Sequence, residues 1–316
     1  MSPSRRSTLR QPLTLAHFEA PPEAPFQADI RLEAVASDFD VTRARDAYIP
    51  LLVACYALAN QTPFELPAGY TSLGEIRRDE TEFAQMEAIE SPEVQEAVDN
   101  DVDATEAAVA DPSAFGFVVR EDRTGSVIVA IRGTQTPREW MANFTAVPQP
   151  FSLAPDFGLV HLGFEMMERS VRDSIAAALG NIPADTRVTV IGHSLGGAMA
   201  NLAAVDLKRN MGRKVVDCCT IGGPRVGKFI FRSKFNEFIP ECYRITNRGD
   251  IVPHVPTMLT GWCHAGEEID VDGAVENTHS LPAYLEGLRN IDFVRELVFG
   301  GGGEEAMPQV MSIRVP

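Results

Sequence analysis

Residues 187–207 read RVTVIGHSLGGAMANLAAVDL: a β-branched apolar run closes on Gly192, His193, Ser194, Leu195, Gly196 and Gly197, then gives way to an alanine-rich stretch. The apolar run predicts a buried strand and the stretch after it a helix. Glycines at the junction let the chain reverse within two or three residues, because no Cβ obstructs the neighbouring backbone. Gly192 to Gly196 fits G-x-S-x-G, in which a serine occupies the apex of a strained strand-to-helix turn. The helix that starts there points unpaired N–H groups toward any negative charge forming above it. Ser194 is therefore the expected nucleophile, and the backbone N–H of Leu195 an expected donor to an oxyanion. The plainer alternative makes Ser194 only the N-cap of the helix.

A serine hydroxyl needs a base to take its proton, and the base needs a carboxylate to hold its tautomer. In a strand–serine–helix arrangement of this kind the order along the chain is serine, acid, histidine. Downstream of Ser194 the histidines are His254, His264 and His279. Asp206, Asp250, Asp270 and Asp272 compete for the acid. Asp206 follows the nucleophile on the predicted helix, and Asp270 and Asp272 follow a predicted hairpin, so a solvated role is expected for these three. His193, adjacent to the nucleophile, is expected to point the opposite way, into the core, with a structural role.

Working outward, AFGFVVRE (114–121) and SVIVAIRG (126–133) are β-rich runs joined by a tight turn. Gly163 to Leu179 has the spacing of an amphipathic helix, and KVVDCCTIGGPR, KFIFRSKFNEFI and CYRITNRGD read as strand, helix and strand. Alternation of this length implies a mainly parallel sheet with helices on both faces, at whose carboxyl ends catalytic groups gather. Val41 to Asn60 carries helical spacing, the residues around TPFELPAGY are turn-rich, and the acidic run from Glu80 to Asp111 reads as solvated helix and loop.

With 45% apolar and 23% charged residues over 316 positions, the chain has enough apolar sequence for one large α/β domain. Its 28 Lys and Arg against 44 Asp and Glu give a net charge of -16, which disfavours nucleic acid and strongly anionic membranes as partners. No stretch approaches the ~18 apolar residues of a membrane span. The first 25 residues are basic and Ser-rich but lack an apolar export core. Five cysteines without framework spacing read as buried thiols of a reducing compartment. A cytoplasmic location is thus the expectation, with secretion by another route the alternative. No metal-ligand cluster is seen, and the serine chemistry calls for no cofactor.

VTVIGHSLGGAMANLAA, together with IVAIRGTQTPREWMANF, VHLGF, TIGGPRVG and RITNRGDIVPHVP in that order, resembles the class 3, fungal-type triacylglycerol lipases of the α/β-hydrolase fold. The resemblance runs from about Arg45 to Arg289. It implies an α/β-hydrolase domain over 41–299 with a short lid helix; outside the resemblance, the Pro-rich composition of 1–40 reads as a flexible leader and the run Gly300 to Gly303 marks 300–316 as a Gly-rich tail. It places the acid on Asp250, in the family's N-x-x-D-x-V-P element, and the base on His279, in a late loop before a helix with an aromatic, Tyr284, a few residues on. The resemblance also makes Thr134 the second oxyanion donor, through its N–H and hydroxyl. Trp140 and Met141 fall on the implied lid, with Arg138 and Glu139 on its other face. The implied partner is a lipid or ester substrate at an oil–water interface. The expected function is hydrolysis of acyl esters of neutral acylglycerols through an acyl-enzyme intermediate. Phospholipase A1 or short-chain esterase activity is the enzymatic alternative, and a lipase-like scaffold without activity the other.

Overall fold

The computed structural model describes residues 38–81, 110–134, 146–273 and 276–299. The expected Gly-rich tail, almost all of the leader and most of the acidic run lie outside them. Along the chain the strands are β1 (Tyr70–Arg77), β2 (Ala114–Glu121), β3 (Val127–Ile131), β4 (Pro148–Pro150), β5 (Leu159–His161) and β6 (Val188–His193). There follow β7 (Val216–Ile221), β8 (Gly227–Lys228), β9 (Cys242–Asn247), β10 (Trp262–Cys263) and β11 (Glu267–Val271). The longer helices are α1 (Ile49–Ala59), α2 (Leu162–Leu179), α3 (Leu195–Arg209), α4 (Phe229–Phe238) and α5 (Leu281–Phe299).

The main sheet runs β1-β2-β3-β6-β7-β9-β11. Its first three strands pair antiparallel and the rest, from β3 onward, parallel. β3 shows how sequence becomes two cores. Val127, Val129 and Ile131 belong to the apolar cluster on one face, and Ile128 and Ala130 to the cluster on the other. Successive side chains of a strand point to opposite faces, and a sheet covered on both sides needs apolar residues at every position. Helices α2 and α3 contribute to the first cluster, α1 and α5 to the second. This is the α/β-hydrolase architecture expected from the sequence; the lid helix falls at residues outside those described.

Three local features differ from the sequence reading. β1 begins where the turn-rich stretch ends and has no counterpart in the sequence reading: only Ile76 of it is fully buried, so the apolar signal for this edge strand is weak. The expected hairpin around residues 261–273 does not form, since β10 pairs with β8 in a small sheet of order β10-β8-β5-β4, whereas β11 joins the main sheet parallel to β9. Ahead of α1, residues Ala44–Tyr48 form a π-helical turn. Pro50 lies one residue into α1 and has no N–H for the regular ladder, and a widened turn is one way to absorb that missing bond.

Helix α2 also buries an acid. Glu168 is 1% exposed, and Glu165 and Asp206 lie close enough to interact with it. Burial, then the negative charge of Asp206 and Glu165, push its carboxyl well above the usual range, against a smaller opposing pull from Arg172 and Arg169. The folded chain therefore holds a proton that the unfolded chain releases above about pH 4.5, so this group costs stability increasingly as pH rises from there toward its folded value. Glu168→Gln is a neutral mimic free of that titration. The melting-temperature advantage of the variant is expected to grow by at least about 2 °C between pH 5 and pH 8. Equal differences at both pH values in thermal melts would contradict the account.

Candidate active site

The carboxyl ends of β3, β6, β7, β9 and β11 lead into the segments that carry Thr134, Ser194, Gly222, Asp250 and His279. Ser194 links β6 to α3 at φ 58°, ψ −128°, in the region L-residues seldom occupy. Such a conformation costs of order 1–3 kcal/mol and persists only where the surroundings enforce it. Here the Ser194 N–H donates to the Ile221 carbonyl at 3.0 Å, and its carbonyl accepts from the Gly197 N–H at 2.9 Å. A Cβ at position 192 would stand 1.9 Å from the Gly196 oxygen, and one at 196 would stand 2.3 Å from the Ile131 oxygen. Only glycine fits either place. The Ser194 side chain makes no capping bond to α3, which removes the N-cap alternative.

His279 lies in the loop between β11 and α5, and its Nδ1 is 2.7 Å from Asp250 Oδ2. A carboxylate only accepts, so the Nδ1 proton points at Asp250 and Nε2 keeps its lone pair. Asp250 is 1% exposed and accepts two more hydrogen bonds, from the Tyr284 hydroxyl at 2.5 Å and the Val252 N–H at 2.9 Å. Burial, followed by the charge of Asp250, raises the Tyr284 phenol well above its ordinary value, which keeps it a donor. Asn247, at the end of β9, draws the histidine loop onto the acid: its Nδ2 donates to Thr278 O at 2.8 Å and its Oδ1 accepts from Gly273 N at 2.8 Å.

Beyond β3, both sides of Gly133 are fixed. Its N–H donates to the Tyr56 hydroxyl at 3.0 Å, and its carbonyl accepts from Nη1 of the fully buried Arg132 at 2.8 Å. Because the peptide unit is planar and trans, holding the Gly133 carbonyl also sets the direction of the Thr134 N–H. A Cβ on Gly133 would lie 2.6 Å from Ser194 Cβ and 3.0 Å from Leu195 N, so Thr134 and Leu195 belong to adjoining segments. On the other side, a Cβ on Gly222 would lie 3.1 Å from Asp250 Oδ2 and 3.2 Å from His279 Cε1.

Ser194 Oγ, His279 Nε2 and Thr134 Oγ1 are all buried and, among the described residues, make no hydrogen bond. Buried polar atoms are nearly always paired. Three such atoms on neighbouring segments, next to a strained serine and a doubly held histidine, form a site prepared to take up a polar group. Trp140 and Met141, expected on a lid, lie outside the described residues.

The rival residues lie elsewhere. His254 is the exposed last residue of a 3-10 turn whose other two residues, Val252 and Pro253, are buried. His264 Nε2 pairs with the Pro253 carbonyl at 2.6 Å, and burial, then Arg244, lower its pKa to about 3, which fits a neutral packing role. Asp272 is exposed and pairs with Arg248. Asp206 corrects the sequence reading: it is not solvated but fully buried, accepting from Arg172 Nε at 2.8 Å and Asn210 Nδ2 at 2.6 Å. His193 is buried, as expected; its ring lies 4.8 Å from that of His279 and bonds to Tyr56. Tyr56 is a site residue that sequence reasoning misses, and no motif marks it there.

Residues 128–260 match the family model described as Lipase (class 3). The chain is 31% identical over 182 residues to secreted mono- and diacylglycerol lipase 1 of Fusarium solani, which covers 55% of this chain and 54% of that protein. It is 35% identical over 179 residues to a lipase of Rhizomucor miehei, covering 54% and 48%. A phospholipase A1, EG1, of Oryza sativa subsp. indica is 31% identical over 211 residues, covering 52% and 48%. The chain spans about half the length of the curated relatives it matches. The cytoplasmic expectation is overturned here, because the Fusarium relative is named as a secreted enzyme. The cysteine argument behind that expectation also fails physically. Cys55, Cys218, Cys219 and Cys242 are buried free thiols, and thiols shut away in apolar surroundings are inert without a reducing compartment. No described helix is long and apolar enough to cross a membrane. Over residues 128–260, from β3 to the turn beyond the Asp250 loop, the chain is similar to the class 3 lipase family.

Proposed function

We propose that this protein is a serine carboxylic-ester hydrolase acting on acyl esters of neutral acylglycerols. In this reading Ser194 Oγ attacks the ester carbonyl carbon and its proton passes to His279 Nε2, while Asp250 holds the Nδ1 proton and balances the imidazolium. The oxygen that gains the negative charge receives the N–H of Leu195 and the N–H and hydroxyl of Thr134. When the intermediate collapses, the alkoxide leaves with the proton from His279. Water then attacks the acyl-serine by the same route, giving the fatty acid and free Ser194.

The observation that carries the reading is the set of three buried atoms without a hydrogen-bond partner among the described residues, Ser194 Oγ, His279 Nε2 and Thr134 Oγ1. Each matches a role in acyl transfer: nucleophile, proton acceptor, oxyanion donor. An apolar substrate is supported by the loop after Asp250, which exposes Ile251, Met258 and Leu259 and holds no Asp or Glu from Ile251 to Gly266 in a chain of net charge -16. A fluorophosphonate probe is expected to label Ser194, and emulsified trioleoylglycerol to be hydrolysed. Absence of labelling in folded protein would end the proposal in favour of a scaffold.

The phospholipase A1 relative favours a second reading, release of the sn-1 acyl chain from a phospholipid. Comparing rates on trioleoylglycerol, phosphatidylcholine and p-nitrophenyl acetate separates the two from each other and from a short-chain esterase. Thr134→Val keeps the shape and the backbone N–H but removes the hydroxyl donor, and is expected to lower kcat by about 10²-fold with KM little changed. An unchanged kcat would remove Thr134 Oγ1 from the oxyanion site.

A further inference from the structure

We propose that Tyr56 and His193 are positioning residues: one directed chain of hydrogen bonds through them holds the segments bearing Thr134, Ser194 and His279 in a common register. The proposal rests on the hydrolase reading above. Its bonds have only one consistent direction. The His279 backbone carbonyl can only accept, so His193 Nε2, 2.9 Å away, is the donor. Burial, then the neighbouring His279, lower the His193 pKa to about 3, so the ring is neutral with a single N–H, and Nδ1 must accept. The Tyr56 hydroxyl, 2.8 Å from Nδ1, therefore donates its only proton there. Its lone pair in turn accepts the Gly133 N–H at 3.0 Å.

The chain runs from Gly133, beside Thr134, through Tyr56 of α1 and His193, beside Ser194, to the main chain of His279. It joins four segments remote in sequence, one of which carries the expected base on an irregular loop. Phe at 56 and Leu at 193 would fill this space and remove the hydroxyl and the ring nitrogens together, but would leave the Gly133 N–H and the His279 carbonyl without these partners. What such a pair would lack is direction. Loss of it would let the His279 loop and the Gly133–Thr134 turn drift, and displacement by about 1 Å can cost 10²-fold in rate.

Tyr56→Phe and His193→Leu are each expected to lower kcat on a water-soluble p-nitrophenyl ester by about 10- to 100-fold, with KM within about twofold. The double variant is expected to be no worse than His193→Leu alone, since both changes cut one chain. His193→Gln, which keeps an N–H donor, is expected to recover part of the loss. Multiplicative effects in the double variant, a loss confined to KM, or a Gln variant no better than Leu would overturn the proposal.

A second measurement needs no turnover. Nitrogen-15 spectra of the histidines are expected to show His193 as the Nε2–H tautomer from pH 5 to pH 9, and Tyr56→Phe to move the His279 ring signals. An Nδ1–H tautomer, or unmoved signals, would refute the chain even if the hydrolase reading failed by its own labelling test.

Discussion

Ser194→Ala is expected to lower turnover by about 10⁴- to 10⁶-fold on both soluble and emulsified esters, leaving only what an oxyanion site and binding supply without a nucleophile. The fold is expected to survive intact. Ser194 Oγ makes no hydrogen bond among the described residues, so its removal unpairs none of them, and alanine meets the same backbone constraint at φ 58° that serine already tolerates. Thermal melts should therefore match the wild type or exceed it, because a buried unpartnered hydroxyl costs stability. This combination separates loss of chemistry from loss of structure. The decisive numbers are kcat on p-nitrophenyl butyrate, fluorophosphonate labelling and the melting temperature, all from one preparation. Turnover above a tenth of wild type with labelling retained would show that another residue is the nucleophile.

The elbow and its flanking elements are legible in the sequence because each rests on a local rule. A strand with two buried faces reads as β-branched residues, as at Val188, Val190 and Ile191; a reversal without room for Cβ reads as Gly192 and Gly196. The neighbours of Ser194 are not legible in this way. Asp250 and His279 are reached through resemblance, since spacing alone leaves three histidines and four aspartates open. What brings them together is tertiary: parallel pairing sets β9 beside β11, and Asn247 ties the loop after one to the strand end of the other. Tyr56 is invisible for the same reason. Its hydroxyl meets Gly133 and His193, 77 and 137 positions away, and no local pattern in α1 records a partner at that distance. The expectation for Asp206 fails because it equates charge with solvent, whereas Arg172 and Asn210 satisfy this carboxylate inside the protein.

Asp250→Asn is expected to reduce kcat by about 10⁴-fold with KM nearly unchanged, and to cost stability as well. The reason lies in the count of donors around the side chain. His279 Nδ1–H and the Tyr284 hydroxyl both donate to Oδ2, and the Val252 N–H donates to Oδ1. An amide offers one acceptor oxygen and one NH2 in place of those two oxygens. With the NH2 at the Oδ1 position, it faces the Val252 N–H, and two donors meet in a buried site. With the NH2 at the Oδ2 position, His279 Nδ1 must become an acceptor; the ring proton then moves to Nε2, and no lone pair remains for the Ser194 proton. The first arrangement costs about 1–3 kcal/mol of stability, the second removes the base, and neither supplies a charge to balance the imidazolium. Tyr284→Phe, by contrast, leaves the carboxylate and two of its donors in place, and its loss in kcat should stay below about tenfold. Rates across pH 6 to 10 with nitrogen-15 spectra of His279 read both consequences directly. An Asp250→Asn enzyme within tenfold of wild type, its His279 still protonated at Nδ1, would mean that the carboxylate holds the ring in place without serving the proton transfer.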